Sequence, residues 1–328
     1  MRDGLEKRCR DFLAARDTIK EHFRMEFSQL YPVCANIFCA RGIPADENTL
    51  ERCKQLLKQN TGVFSNFRGT VKLPSICMLA ADDAPEALWQ RTLENYAMLK
   101  ERFFASEYLA LASLLLARMP SDEPLEERVA RGRALYKRMR KEHPLLTGSE
   151  DSIFCLLLAY SPQEDGALIA ETEAIYTWLK ERFHDSNAVQ TASHVLSLYP
   201  GAPREKADRM IALYDALRAE DVVYGRSHPL AVLATLAMQA EDLPAAARDV
   251  RDVSEWLRGQ KGYGFFGADK RTRAMHAAMI ESDECSPSVG SDAAIVGSAL
   301  AIIAAQQAAM CAMIASSSAA TAAASSGK

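Results

Sequence analysis

The chain has 328 residues, of which 48% are apolar and 25% charged, and its net charge is −4. That balance excludes global disorder, a collagen-like chain and a polytopic membrane protein. At about 150 residues per domain the length allows two domains or one large repeat array. The mild acidity removes bulk attraction for nucleic acid or anionic lipid and leaves only local basic patches.

At the N-terminus, MRDGLEKRCRDFLAARD is charged throughout and lacks the apolar stretch of an export signal. The cysteines are Cys9, Cys34, Cys39, Cys53, Cys77, Cys155, Cys285 and Cys311. None forms a CxxC pair, and most fall inside apolar helical runs. Reduced, buried thiols and a cytoplasmic location are the expectation.

An internal period organises most of the chain. Tyr96, Tyr136, Tyr176 and Tyr214 are 40, 40 and 38 residues apart. An apolar anchor three residues further on extends the series as Ile19, Leu57, Leu99, Met139, Leu179, Leu217 and Leu257, spaced 38–42 residues apart. Seven units of about 40 residues therefore cover roughly residues 1–285. Each unit opens with an amphipathic helix. In the fifth, Leu168, Thr172, Ile175, Leu179 and Phe183 form one stripe, with Glu171, Glu173, Lys180 and Glu181 on the wet side. The second half of each unit is apolar almost all round, as in Tyr108–Ala117 and Ile153–Ala159, so it predicts a helix buried on several sides. Ala, Leu and Met dominate these runs, which argues against strands.

Pro44, Pro85, Pro124, Pro162, Pro203, Pro244 and Pro287 mark the joints between units. Ser65, Ser106, Ser149, Ser186 and Ser227 precede the second helices and read as N-caps. The expected fold is all-α: about seven α/α helical hairpins forming a superhelix or, if the curvature closes, a toroid over residues 1–290. Leu99, Leu111, Leu115, Phe154, Leu157, Leu179, Leu196, Leu233 and Leu257 are its expected core. From Ala293 to Gly327 there is no charge, and Val296, Leu300, Ile303, Gln307, Met310 and Ile314 form a helical stripe. Over 291–315 this reads as an Ala-rich helix packed on the repeat domain. A membrane span is the alternative, opposed by Gln306 and Gln307 at mid-span. Residues 316–328 read as a low-complexity tail.

Several segments carry a resemblance. Phe64–Gly69 (FSNFRG), Ser106–Ala112, Gly148–Ser152, Asn187–Leu196, Gln260–Gly267 (QKGYGFFG) and Ala304–Ala315 resemble an uncharacterised bacterial family, mainly from Firmicutes, the domain-of-unknown-function 4003 family. The likeness runs end to end and is most specific in QKGYGFFG and the tail. It implies one full-length unit rather than a fusion, a tail that belongs to the family, and no assigned activity.

Among chemistry-bearing patterns, the six histidines form no HExxH or HxxxH pair, and Cys34 and Cys39 lie on different helix faces, so neither a metal nor a cofactor is expected. QKGYGFFGADKRTR lacks the phosphate-loop spacing. It reads either as an anion-receiving helix entry with Lys270, Arg271 and Arg273, or as a link whose Phe265 and Phe266 plug the core. The starts of the second helices carry Arg68, Glu107, Glu150 with Asp151, Asn187 with Gln190, His228, and Lys270 with Arg271. Helices sharing one direction would gather these at one rim. His194 and His276 follow one to two turns further in. Capping and dipole compensation account for Glu107 and Glu150 without any function. Asn187, Gln190 and His194 share a helix face, and polar groups on a buried face need partners. They are the best pointer to a cavity. No nucleophile motif occurs.

Function is unknown at this level. The leading expectation is a non-enzymatic helical repeat that binds a protein, a peptide or a small ligand in its inner groove or cavity. The alternative is an enzyme of α/α-toroid type, with acid and base residues at the rim acting on a carbohydrate-like or isoprenoid-like substrate. A minor alternative is a membrane-tethered protein held by its C-terminal segment. No nucleic-acid partner is expected.

Overall fold

The computed structural model describes residues 2–119, 123–144, 146–264 and 267–285. Fourteen α-helices make up 70% of these residues, and no strand occurs among them. They follow one another in pairs, one pair to each unit of the sequence period. The first three are α1 (Asp3–His22) with α2 (Leu30–Ala40), α3 (Glu47–Asn60) with α4 (Lys72–Ala80), and α5 (Pro85–Lys100) with α6 (Glu107–Arg118). Then come α7 (Leu125–Glu142) with α8 (Asp151–Leu158) and α9 (Asp165–Lys180) with α10 (Ser186–Ser197). The last are α11 (Pro203–Ala219) with α12 (Leu230–Gln239), and α13 (Leu243–Arg258) with α14 (Lys270–Cys285).

Two compact units result. The middle unit is Ala14–Ala159, and the terminal unit combines the described residues up to Leu13 with those from Tyr160 onward. In the middle unit α3 packs on α4 and α5, α5 on α6, and α7 on α8, while α2 lies against α4 and α6 against α8. In the terminal unit α9, α11 and α13 form one layer and α10, α12 and α14 a second. Each odd helix there also packs on the even helix next in sequence.

The two layers result from the hydrophobic pattern. A helix with one apolar stripe can bury only that stripe, so the odd helices keep a wet face. The even helices have no such face. All eight residues of α8 are buried, and so are ten of the eleven in α2. The nine core residues expected from the period, Leu99 to Leu257, are at most 2% exposed. Each buried leucine contributes about 1.5–3 kcal/mol of transfer free energy.

The prolines hold their expected places better than the serines do. Pro85, Pro203 and Pro244 sit in the first turns of α5, α11 and α13, where a missing N–H costs nothing. Pro124 immediately precedes α7, and Pro287 lies outside the described residues. Of the five expected serine caps only Ser106 acts as one, accepting from Leu109 N at 3.1 Å. Asp185, not Ser186, caps α10. Pro229 precedes α12, while α4 and α8 have no side-chain cap. Glu171, expected on the wet side of α9, is 7% exposed because Lys206 of α11 reaches it. The Ala-rich C-terminal helix, the low-complexity tail, Phe265, Phe266 and Cys311 lie outside the described residues. Among the described residues no helix is long and apolar enough to cross a membrane.

Candidate functional site

In the middle unit the loops that enter the even helices are tied to one another. Glu26, between α1 and α2, pairs with Lys72 at the start of α4. Glu107, in the first turn of α6, accepts from the backbone N–H of Thr70 at 2.9 Å and from the Thr70 hydroxyl. Gly69 makes that approach feasible, since a Cβ there would lie 1.8 Å from Glu107 Oε1. Asn66 donates to the Tyr96 hydroxyl at 2.7 Å. Arg68 turns back on its own hairpin, donating to the Thr61 hydroxyl and to the carbonyls of Lys58 and Thr61 at 2.8–2.9 Å. It thereby satisfies orphan acceptors at the end of α3. At the start of α8, Asp151 is 3% exposed and accepts from Gly148 N at 2.8 Å. Burial, with the neighbouring Glu150 charge, pushes its pKa up to about 7 against the pull of that N–H. Glu150 is half-buried in the N-cap position, with no side-chain cap bond of its own.

In the terminal unit the comparable loops carry charge. Asp185 caps α10 through Ala188 N at 3.1 Å and accepts from the Ser227 hydroxyl of the next hairpin. Asp269 caps α14 through Thr272 N at 2.7 Å, which holds its carboxyl below the usual range. His228 is half-buried at the start of α12. Burial lowers its pKa, and the charges of Asp185 and Asp269 oppose that shift. Lys270 and Arg271 are exposed beside them. Along α10, Gln190 and His194 are buried, at 4% and 1% exposure, but Asn187 is exposed. The premise that all three share a buried face therefore fails at Asn187. His276, deep in α14, lies 2.9 Å through Nδ1 from the Tyr263 hydroxyl. Tyr263 belongs to the QKGYGFFG segment and is 2% exposed. Ala268 N donates to Gly262 O at 2.9 Å, and Gly262 lies in the left-handed region at φ 90°.

Toward the starts of the odd helices, the terminal unit buries an ion pair. Lys206, 1% exposed, donates to Glu171 and to the Tyr199 carbonyl at 2.8 Å, and Gln163 donates to the second Glu171 oxygen at 2.9 Å. Arg2 pairs with Asp249 at 2.9 Å and with Glu281 at 3.0 Å, and Arg8 pairs with Glu284. Burial still pushes the Glu281 carboxyl up to about 7.

Chemically, these positions are mostly occupied by structure. Arg68, Glu107 and Asp151 each hold a loop or a helix end. Asp185 and Asp269, from the neighbouring hairpins, each act electrostatically on the half-buried His228. Among the described residues no three His, Cys, Asp or Glu side chains are disposed to hold a metal. The free thiols of Cys9 and Cys53 are buried, and burial raises them to about 12 and about 11, which leaves them unreactive at neutral pH.

Sequence reading missed Asp185 and Asp269, although an Asp directly before an apolar-periodic run is an N-cap signature. It also gave Phe64 and Phe104 no binding role. These lie off the helical stripes, in hairpin loops, and stand 101% and 86% exposed.

The geometry thus defines, among the described residues, an all-α protein of fourteen sequential helices, with its candidate polar groups spread over the connections between them. The family model described as protein of unknown function (DUF4003) matches residues 17–308, and the chain belongs to that family. No curated protein and no solved structure matches the chain.

Proposed function

We propose that the protein is a non-enzymatic helical-repeat scaffold, and that it binds through the loops that enter its even helices. The observation that carries this reading is the use made of the candidate residues. Arg68, Glu107 and Asp151 are engaged by carbonyl, hydroxyl and N–H groups of the fold, whereas large apolar side chains in the same loops face water. A catalytic set needs free groups converging on one point. A binding face needs exposed apolar anchors. We further propose that the hairpins stack as an α/α superhelix. Within the terminal unit Arg2, just before α1, and Arg8, within it, pair with residues of α13 and α14. A cytoplasmic location, with a protein, a peptide or another ligand as partner and no nucleic acid, completes the reading.

The enzyme alternative draws on one observation, the half-buried His228 on which the charges of Asp185 and Asp269 act. Both readings meet the same experiment. Full-length protein is purified from its own host and its co-purifying molecules are identified, for the native chain and for Phe64→Asp and His228→Gln variants. A partner lost with Phe64→Asp and kept with His228→Gln supports the scaffold. A small molecule chemically altered by the native chain but not by His228→Gln overturns it.

A further inference from the structure

The large apolar side chains of the middle unit that are most open to water stand in its hairpin loops. Among the described residues, those most open to water are Met25, Val63, Phe64 and Phe104, at 96%, 83%, 101% and 86%. Met25 lies between α1 and α2, Val63 and Phe64 between α3 and α4, and Phe104 between α5 and α6. These are three consecutive loops at the same end of three consecutive hairpins. The Glu26–Lys72 pair and the Thr70–Glu107 bonds hold the three loops together. The apolar side chains therefore stand on loops that are tied to one another.

Their surroundings are basic. Arg24, Lys58, Lys100 and Arg102 are exposed in the same loops or the last turns leading into them, against Glu21 and Glu101. Lysine in a last helical turn complements the helix dipole, which accounts for Lys58 and Lys100. The end of α1 accounts for Arg24 as well, which donates to the Glu21 carbonyl at 3.2 Å, but Arg102 lies beyond the end of α5. In a chain whose net charge is −4, this end carries the opposite sign. An anionic surface approaching these loops is attracted to them.

We propose that these three loops dock the protein reversibly on an anionic membrane surface. Met25, Val63, Phe64 and Phe104 enter the boundary between headgroups and acyl chains, and Arg24, Lys58, Lys100 and Arg102 meet lipid phosphates. The inference rests on the scaffold reading of the same loops and names the partner class. Shape favours a bilayer over a protein. The apolar side chains stand out singly from separate loop tips. A protein partner would need a contiguous, pocketed core of anchors to gain from them. A bilayer accepts isolated protrusions, because each gains apolar burial independently while nearby basic groups stay in the headgroup layer. The cytoplasmic leaflet supplies the matching negative potential.

The test is sedimentation of the full-length protein with vesicles of phosphatidylcholine alone and with about a third phosphatidylglycerol. Binding is expected only to the anionic vesicles and should weaken as salt rises. It should fall about tenfold or more in a Phe64→Asp/Phe104→Asp variant. An Arg24→Glu/Arg102→Glu variant provides an independent arm that leaves the apolar tips intact, and helical content and melting temperature report folding for both. Three results overturn the inference. A folded native chain that ignores anionic vesicles is one. Binding that survives both variants is another, and would place the lipid contact elsewhere, such as residues 293–315. The third is concentration-dependent self-association abolished by the Phe variants. If vesicles fail but a host protein lost with Phe64→Asp is identified, the membrane is excluded while the scaffold reading stands.

Discussion

In the terminal unit the hairpins are joined by ions sunk between helices. Lys206 and Glu171 are nearly inaccessible, and Glu281 is 1% exposed beneath Arg2. In the middle unit the joints are half-exposed contacts between loops, such as Glu107 on Thr70 and Glu26 on Lys72. The two rims differ in the opposite sense. The terminal unit surrounds its even-helix starts with Asp185, His228, Asp269, Lys270 and Arg271, while the middle unit presents Met25, Phe64 and Phe104 to water. One hairpin plan thus serves two purposes. Buried ion pairs fix which helices meet, and rim chemistry decides what the surface can hold.

The largest expected effect tests the buried ions. Lys206→Met leaves the Glu171 carboxylate enclosed with only Gln163 as a donor, and should cost about 3–5 kcal/mol in denaturant unfolding. Adding Glu171→Leu should recover most of that loss, because a pair replaced by apolar groups of similar volume loses little. A single-variant cost below about 1 kcal/mol would show that water reaches the pair in solution.

The apolar layers, by contrast, should behave alike. Leu157 of α8 and Leu196 of α10 are 2% and 0% exposed. Replacing either by Ala should cost about 2–5 kcal/mol, through lost transfer energy and the cavity left behind. A clear difference between them in parallel melts would mean that one unit relaxes around cavities and the other does not.

This equality is also why the fold was legible in the sequence. The 38–42-residue anchor period and the apolar second halves locate hairpins without any knowledge of partners. The polar groups were less legible, since what an Asp or Glu does depends on a residue from another hairpin. Glu171 sits on the polar side of its own helix, and only Lys206, 35 positions later, makes that side an interior. Asn187, Gln190 and His194 share a face by spacing alone, but Asn187 is exposed, so the face is not buried along its whole length. Glu107 was placed correctly at a helix start. Its bond to Thr70 depends on the lack of a side chain at Gly69.

A smaller effect concerns pH and singles out one acid of the middle unit. Burial raises Asp151 to about 7, so the folded state binds its proton more tightly than the unfolded state does. Its contribution is fully present below the unfolded pKa of about 4. It is lost as pH rises through the folded value. Between these limits the native chain should lose stability with rising pH more steeply than Asp151→Asn, which carries no proton to release. Parallel curves for the two proteins across that window would show Asp151 to be ionised and hydrated in solution.

The smallest effect separates the two rims at their helix caps. Ser106 caps α6 with a neutral hydroxyl, and Ser106→Ala should cost about 1 kcal/mol. Asp185 caps α10 with a charge that also bears on His228 across the hairpin boundary. Asparagine caps nearly as well as aspartate, so Asp185→Asn should leave stability almost unchanged while removing that charge. The charge favours the protonated imidazole. Without it, burial acts on His228 opposed by Asp269 alone, and the His228 pKa should fall further below its ordinary value. Asp185→Ala should lower that pKa too, and should lose the cap as well. Titration of the His228 ring protons by NMR, assigned with His228→Gln, distinguishes these outcomes. An unchanged His228 pKa in Asp185→Asn would mean that the terminal rim is as screened as open solution, leaving the middle unit's apolar loops as the feature that sets the two rims apart.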